Sequence, residues 1–144
     1  MSFHYLLDTN TISHMMKNPQ GSVALRIQQI TENAISSGNI APLCTSVIVQ
    51  GELLFGLAKN PSTRLHTAYA TTMKYIPVLG LEPAVAQHYS QLRLALSRAG
   101  TPIGPNDAFI AAHALALGCT VVTDNEDEFR RVAELKVENW SKTV

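Results

Sequence analysis

The chain has 144 residues, of which 46% are hydrophobic and 15% charged; that is the size of one domain with one core, and it excludes a disordered chain. Its apolar runs are too short to span a membrane, and the start, Met-Ser-Phe-His-Tyr-Leu-Leu-Asp, lacks the basic flank and apolar length of a secretory signal. Eleven basic residues balance eleven acidic ones, so net charge gives no argument for a nucleic-acid partner and position must be read instead.

Phe3 to Leu7 reads as a first strand ending at Asp8. Asp8, Thr9 or Asn10 can cap a helix that runs to about Lys17 and stops at Asn18-Pro19. A second helix fits Ser22 to Ile35, with Val23, Ile27 and Ile30 on its apolar side. Leu43 to Thr45 is a short buried strand, and Ser46 is the expected N-cap of a helix over Val47 to Ala58. Asn60-Pro61-Ser62 opens a helix to about Tyr75, with Pro61 in its first turn. Ile76 to Leu79 is a third strand. Glu82-Pro83 opens a long helix to Ala99, closed by Gly100. Gly104-Pro105-Asn106 introduces a helix from Asp107 to Leu117, closed by Gly118. Cys119 to Thr123 is a fourth strand, Glu126 to Val132 a short polar helix and Leu135 to Val137 a fifth strand, with Trp140 anchoring the C-terminus. Strand–helix alternation predicts an α/β domain with a mostly parallel sheet, whose ligand crevice lies beyond the carboxyl ends of the strands. Cys44 and Cys119 sit in strand-like apolar runs and read as buried free thiols of a cytoplasmic protein.

Three acids stand alone. Asp8 is the only charged residue among the first sixteen, Glu52 the only one from Val47 to Ala58, and Asp107 the only one from Ala99 to Thr123. An ionised carboxylate in an apolar element must be paired, hydrogen-bonded, protonated or metal-bound, and none of the three has a basic neighbour in sequence. Asp124 follows the fourth strand as Asp8 follows the first. In a parallel sheet all four face one end of the domain. Converging carboxylates invite a hard divalent cation such as Mg²⁺ or Mn²⁺, and two such ions perform phosphodiester hydrolysis. No cysteine pair and no His-x-x-x-His suggests zinc. Each acid also has a plainer reading: Asp8 as a helix cap, Asp107 as a first-turn acid, Glu52 as a solvated side chain and Asp124 as a turn residue.

Leu6-Leu7-Asp8-Thr9-Asn10 resembles the opening of PIN-domain ribonucleases, and within them the VapC toxins of VapBC toxin–antitoxin pairs. Thr45-Ser46-Val47-Ile48-Val49-Gln50-Gly51-Glu52-Leu53, Gly100 to Asp107 with Ile110 to Ala114, and Val121-Val122-Thr123-Asp124-Asn125 with Phe129 and Trp140 resemble the later family segments, in order, over nearly the whole chain. The resemblance implies a single PIN domain over 1–144, a PIN-like α/β/α sandwich around a mostly parallel five-stranded sheet. It implies a Mg²⁺- or Mn²⁺-dependent endoribonuclease, a hydrolase of RNA phosphodiester bonds acting on tRNA or rRNA loops. Asp8 and Asp107 would contact the metal, and Glu52 would hold a second ion or its water. The family's fourth acid falls on Asn125, so either Asn125 serves as an oxygen donor or Asp124 turns in. Thr9, Asn10 and Thr123 would hydrogen-bond the acids.

The resemblance also implies a VapB-like antitoxin partner, a homodimer and a higher assembly with the antitoxin. Ile12, Met15, Met16, Val23, Leu25 and Ile27 then read as a groove for the antitoxin, or else as ordinary core. Arg93, Arg98, Lys59, Arg64 and Lys17 are the candidates to reach RNA phosphates, or else solvated surface residues. His113 reads as a satisfied core or interface residue. Two alternatives stay within the fold: a non-catalytic PIN module, and an RNA-processing PIN nuclease without an antitoxin. A phosphoacceptor receiver domain is disfavoured, because a single acid ends the first strand and Gly80-Leu81 follows the third.

Overall fold

In the computed structural model the central strand is β1 (Tyr5–Leu7), flanked by β2 (Leu43–Ser46) on one side and β4 (Thr120–Val122) on the other. Two-residue strands β3 (Val78–Leu79) and β5 (Val137–Glu138) close the edges, giving the order β3-β2-β1-β4-β5 with every pairing parallel. The structure describes residues 3–40 and 42–142; Met1 and Ser2 of the opening stretch and the last two residues of the span 1–144 lie outside the described residues, as does Ala41. No helix among the described residues is long and apolar enough to cross a membrane.

The inner strands read as unbroken apolar runs because helices cover both faces. Leu6, Leu7, Leu43, Cys44, Val121 and Val122 are at most 1% exposed. The helices are α1 (Thr9–Lys17), α2 (Ser22–Ser36), α3 (Val47–Ala58), α4 (Thr63–Met73), α5 (Pro83–Arg98), α6 (Pro105–Leu117) and the single turn α7 (Glu126–Phe129). Their ends follow local chemistry. The Ser46 side chain accepts from the Ile48 N–H at the start of α3, and Gly118 ends α6 at φ +72°, a conformation that penalises any Cβ. Both cysteines are buried free thiols.

Several boundaries differ from the sequence expectation. Pro61 lies outside α4, because the Ser62 side chain caps that helix by accepting from the Leu65 N–H. The strand expected over Ile76 to Leu79 keeps only Val78 and Leu79, the residues that pair with Thr45 and Ser46. The polar helix stops at Phe129 rather than Val132, and the fifth strand begins at Val137 rather than Leu135, where it pairs with Val121. Four of the six residues considered for a groove, Ile12, Met16, Val23 and Ile27, are core; of the six, Leu25 alone is largely exposed, at 57%.

The strand order has one consequence for function. The chain builds outward from β1 through β2 to β3, then crosses back to place β4 on the far side of β1. Beyond the carboxyl ends of β1 and β4 the two neighbouring connections diverge, and this switch point is where open α/β sheets leave a crevice. Asp8 and Thr123 are the first residues past those two strands.

Candidate active site

The site assembles from the ends of four elements. Asp8 leaves β1 with its N–H still donating to the Val122 carbonyl at 2.9 Å, so the sheet fixes its position. Its Oδ1 accepts from the Thr9 N–H at 2.8 Å and caps α1. Its Oδ2 accepts from the Thr123 hydroxyl at 2.8 Å and from the Asn10 amide at 3.1 Å. One oxygen of the carboxylate thus caps α1 while the other is held by side chains from α1 and the end of β4. Asp8 is 3% exposed, and burial raises its pKa against the lowering effect of those hydrogen bonds, with the Glu52 charge adding to the rise.

Glu52 reaches the same place from the middle of α3. Its Oε1 accepts from the Thr9 hydroxyl at 2.6 Å, and its Oε2 accepts from the Asn106 amide at 3.4 Å. Asp107 comes from the first turn of α6, where the helix dipole favours a negative charge. It is half-buried, and its pKa is pushed up to about 7. Burial is the largest cause, followed by the charges of Asp8 and Glu128, a hydrogen bond shared with Glu128, and the charge of Glu52. The three lone acids therefore converge.

The two candidates for the fourth position are oriented differently. Asn125 turns inward: its Nδ2 donates to Glu128 Oε2 at 2.7 Å and to Asp107 Oδ2 at 3.4 Å. Asp124 is exposed, and only its backbone enters the network, its N–H donating to Asn10 Oδ1 at 2.9 Å. Thr123 is the hub, its hydroxyl donating to Asp8 and accepting from the Asn10 amide and, at 3.0 Å, from the Asn125 N–H.

Sequence reasoning missed Glu128. It lay in the run Glu126-Asp127-Glu128 before Arg130-Arg131, which reads as solvated surface. In the structure its Oε1 accepts from the Gly104 N–H at 2.7 Å, just before α6, and this contact is the main reason its pKa is lowered. The available signal was spacing: Asn125 and Glu128 lie three apart, on one side of the α7 turn. Asn106 was likewise read only as a helix-opening residue.

His113 is buried, its Nδ1 is 2.8 Å from the Ser46 hydroxyl, and burial lowers its pKa. It ties α6 to the cap of α3 and lies in the core, as expected. An open hollow of about 370 Å³, lined by Val47, Ile48, Gly51, Glu52, Phe55 and Asn106, forms the outer edge of the site. A separate hollow of about 740 Å³ beside Trp140 and α2 is lined by none of these acids.

The ion pairs among the described residues join Glu126 to Arg130 and to Lys142. Among the described residues none of Asp8, Glu52 and Asp107 forms an ion pair with a lysine or arginine. The donor set is all oxygen, which suits a hard divalent cation. Among the described residues no three acids, histidines or cysteines are already drawn in around one point. A Mg²⁺-type ion needs no such cage, because it binds through one or two carboxylates and keeps several waters.

The comparisons with known proteins identify the family and match the fold. The family model for the PIN domain matches residues 5–135. The tRNA(fMet)-specific endonuclease VapC of Shigella flexneri is 35% identical over 138 residues, covering 95% of this chain and 98% of that protein. Ribonuclease VapC2 of Haemophilus influenzae is 32% identical, covering 94% and 97%. Among solved structures, VapBC2 of Rickettsia felis bound to a DNA fragment from its promoter superposes with a TM-score of 0.84 at 28% identity, covering 96% of this chain and 99% of that one. DNA-bound VapBC of Salmonella typhimurium gives 0.78 at 32% identity, covering 96% and 98%. With the family model, the curated relatives and the solved structures in agreement, the chain belongs to the PIN-domain family, in its VapC ribonuclease branch.

Proposed function

We propose that this protein is a metal-dependent endoribonuclease that hydrolyses RNA phosphodiester bonds as the toxin of a toxin–antitoxin pair. One observation carries the reading: Asp8, Glu52 and Asp107, from three different elements, lie near enough at the switch point that, beyond burial, the Glu52 charge raises the pKa of Asp8 and both charges raise that of Asp107, and among the described residues none of the three is ion-paired. The whole chain acts as one PIN domain. Asp8 and Asp107 are the direct metal ligands, and Glu52 holds a second ion or its water. Asn125 takes the fourth position with Glu128 behind it, while Asp124 stays outside.

A divalent cation, Mg²⁺ or Mn²⁺, supplies the activation of water and the neutralisation of charge at the phosphodiester. The chain's own residues set the geometry. Thr123 and Asn10 fix the rotation of the Asp8 carboxylate, and Thr9 fixes that of Glu52. Glu128 holds the Asn125 amide beside Asp107. Such outer partners orient metal ligands and tune them.

The substrate is tRNA or rRNA loops, by analogy with relatives named as tRNA(fMet)-specific endonucleases and ribonucleases. The partner is a VapB-like antitoxin, since the similar solved structures are VapBC complexes. A basic antitoxin side chain entering the acid cluster would neutralise it as a cation does. The protein forms a homodimer, enters a higher assembly with the antitoxin, and works in the cytoplasm, where its RNA substrates and two reduced buried thiols are both at home.

The test is cleavage of total bacterial RNA by purified protein in Mg²⁺ or Mn²⁺, with and without EDTA, beside Asp8→Asn and Asp107→Asn. Discrete fragments that need metal and vanish in both variants support the reading. Equal cleavage by the variants overturns the acid-cluster mechanism. Intact metal binding without cleavage by any of the proteins favours a non-catalytic module.

A further inference from the structure

Among the basic residues considered for RNA contact, Arg93 on α5 has its side chain held in place without an acid. Its guanidinium donates to the Tyr89 hydroxyl at 2.9 Å and lies 5.5 Å from the centre of the Tyr89 ring. Tyr89 in turn stacks on Phe109 of α6, with centroids 4.0 Å apart and planes 12° from parallel. Phe109 is two residues beyond Asp107. A continuous chain of contacts therefore runs from the acid-bearing helix to an exposed arginine. Ordering a long exposed side chain has an entropic cost, and no carboxylate partner accounts for it here: the ion pairs among the described residues do not include Arg93.

The position follows from the helix geometry. α6 ends where β4 begins, so its N-terminus, with Asp107, lies at the carboxyl ends of the strands. α5 joins α6 through a short connection and packs against it, so the two run antiparallel. Arg93 lies one turn beyond Tyr89 toward the C-terminus of α5, about 6 Å along the axis. It is therefore displaced toward the end of the domain that carries the acids. Among the described residues it forms no ion pair with Asp8 or Asp107.

We propose that Arg93, positioned by Tyr89 and Phe109, contacts a backbone phosphate of the RNA substrate beside the scissile site. The inference rests on the nuclease reading above and adds a substrate-binding residue to it. Guanidinium suits the task because its planar fork matches phosphate oxygens and it is weakly hydrated. A neutral chain with an acidic centre needs such fixed cations to receive a polyanion.

The test is binding of fluorescently labelled bulk bacterial tRNA in EDTA, titrated at several salt concentrations, for the full chain. One lost phosphate contact lowers the slope of log affinity against log salt by about 0.7–0.9. Arg93→Gln should show that drop with about a tenfold weaker affinity. Arg93→Lys should restore the slope, because the charge remains. Tyr89→Phe should keep the slope and lose part of the affinity, since only the positioning bond is removed. In Mg²⁺, Arg93→Gln should raise KM and leave kcat near the wild-type value. A wild-type slope in a folded Arg93→Gln protein overturns the proposal. So does a change of oligomeric state in that variant, which would make Arg93 an interface residue between copies. Metal-dependent cleavage by the wild type alongside either result leaves the nuclease reading standing; wild-type protein that neither binds nor cleaves RNA removes both.

Discussion

Asp107→Asn should abolish cleavage and, without metal, make the protein more stable. An acid whose native pKa lies above its unfolded value binds more protons folded than unfolded, so the native state loses stability as pH rises between the two values. For Asp107 that window runs from 3.8 to about 7. Taken in full, the displacement corresponds to about 4 kcal/mol above neutral pH. Asp107 is half-buried and its ionisation is linked to that of neighbouring Glu128, so solvent and coupling reduce the effect to about 1–2 kcal/mol. The asparagine keeps an oxygen for the Asn125 amide and removes the charge facing Asp8, Glu128 and Glu52. In a chain of this size the gain raises Tm by about 2–6 °C. The assay is thermal unfolding by circular dichroism in EDTA, at about pH 8 and about pH 5. The variant should melt above wild type at the higher pH, and most of the gap should close at the lower one, where Asp107 is protonated in the wild type. Added Mg²⁺ should stabilise the wild type by mass action and the variant far less. A variant no more stable than wild type at pH 8, or a gap unchanged at pH 5, would refute the argument that uncompensated charge at Asp107 is held in the fold for function.

Three further outcomes follow from the same geometry. Glu128→Gln should weaken Mn²⁺ binding, measured by calorimetry, by about 10–100-fold, because the Asn125 amide and the Gly104 N–H lose their shared anionic acceptor. Asp124→Asn should leave cleavage within about twofold of wild type, because that side chain is exposed and outside the network; a large loss in an RNA cleavage assay would return Asp124 to the site. His113→Ala should lower stability in urea by about 2–4 kcal/mol, through a cavity and the lost contact with the Ser46 cap. His113→Gln, which can still reach Ser46, should recover part of it.

Much of the fold was legible because it follows local chemistry. The ends of α3, α5 and α6 are marked by Ser46, Pro83, Pro105 and Gly118, residues whose backbone preferences act within one turn. The short edge strands were less legible. Val78–Leu79 and Val137–Glu138 are strands only because Thr45–Ser46 and Val121–Val122 stand beside them, and nothing in their own composition sets the limits.

The candidate site divides the same way. Asp8, Glu52 and Asp107 could be singled out from sequence because an isolated carboxylate in an apolar element has no inexpensive explanation, and that energetic anomaly is local. That Thr123 would hydrogen-bond an acid was expected from the family resemblance rather than from its own surroundings in sequence, and its hydroxyl does donate to Asp8. Which of Asp124 and Asn125 turns inward was decided by a backbone held between Asn10 and Thr123, more than a hundred residues apart in the chain. Glu128 was hidden for a related reason. Its charge looked solvated among Arg130 and Arg131, and its partners at Gly104 and Asn125 come together only when α7 folds against the start of α6. Sequence determines where burying a charge would be costly; only the tertiary structure decides which distant groups arrive to share it.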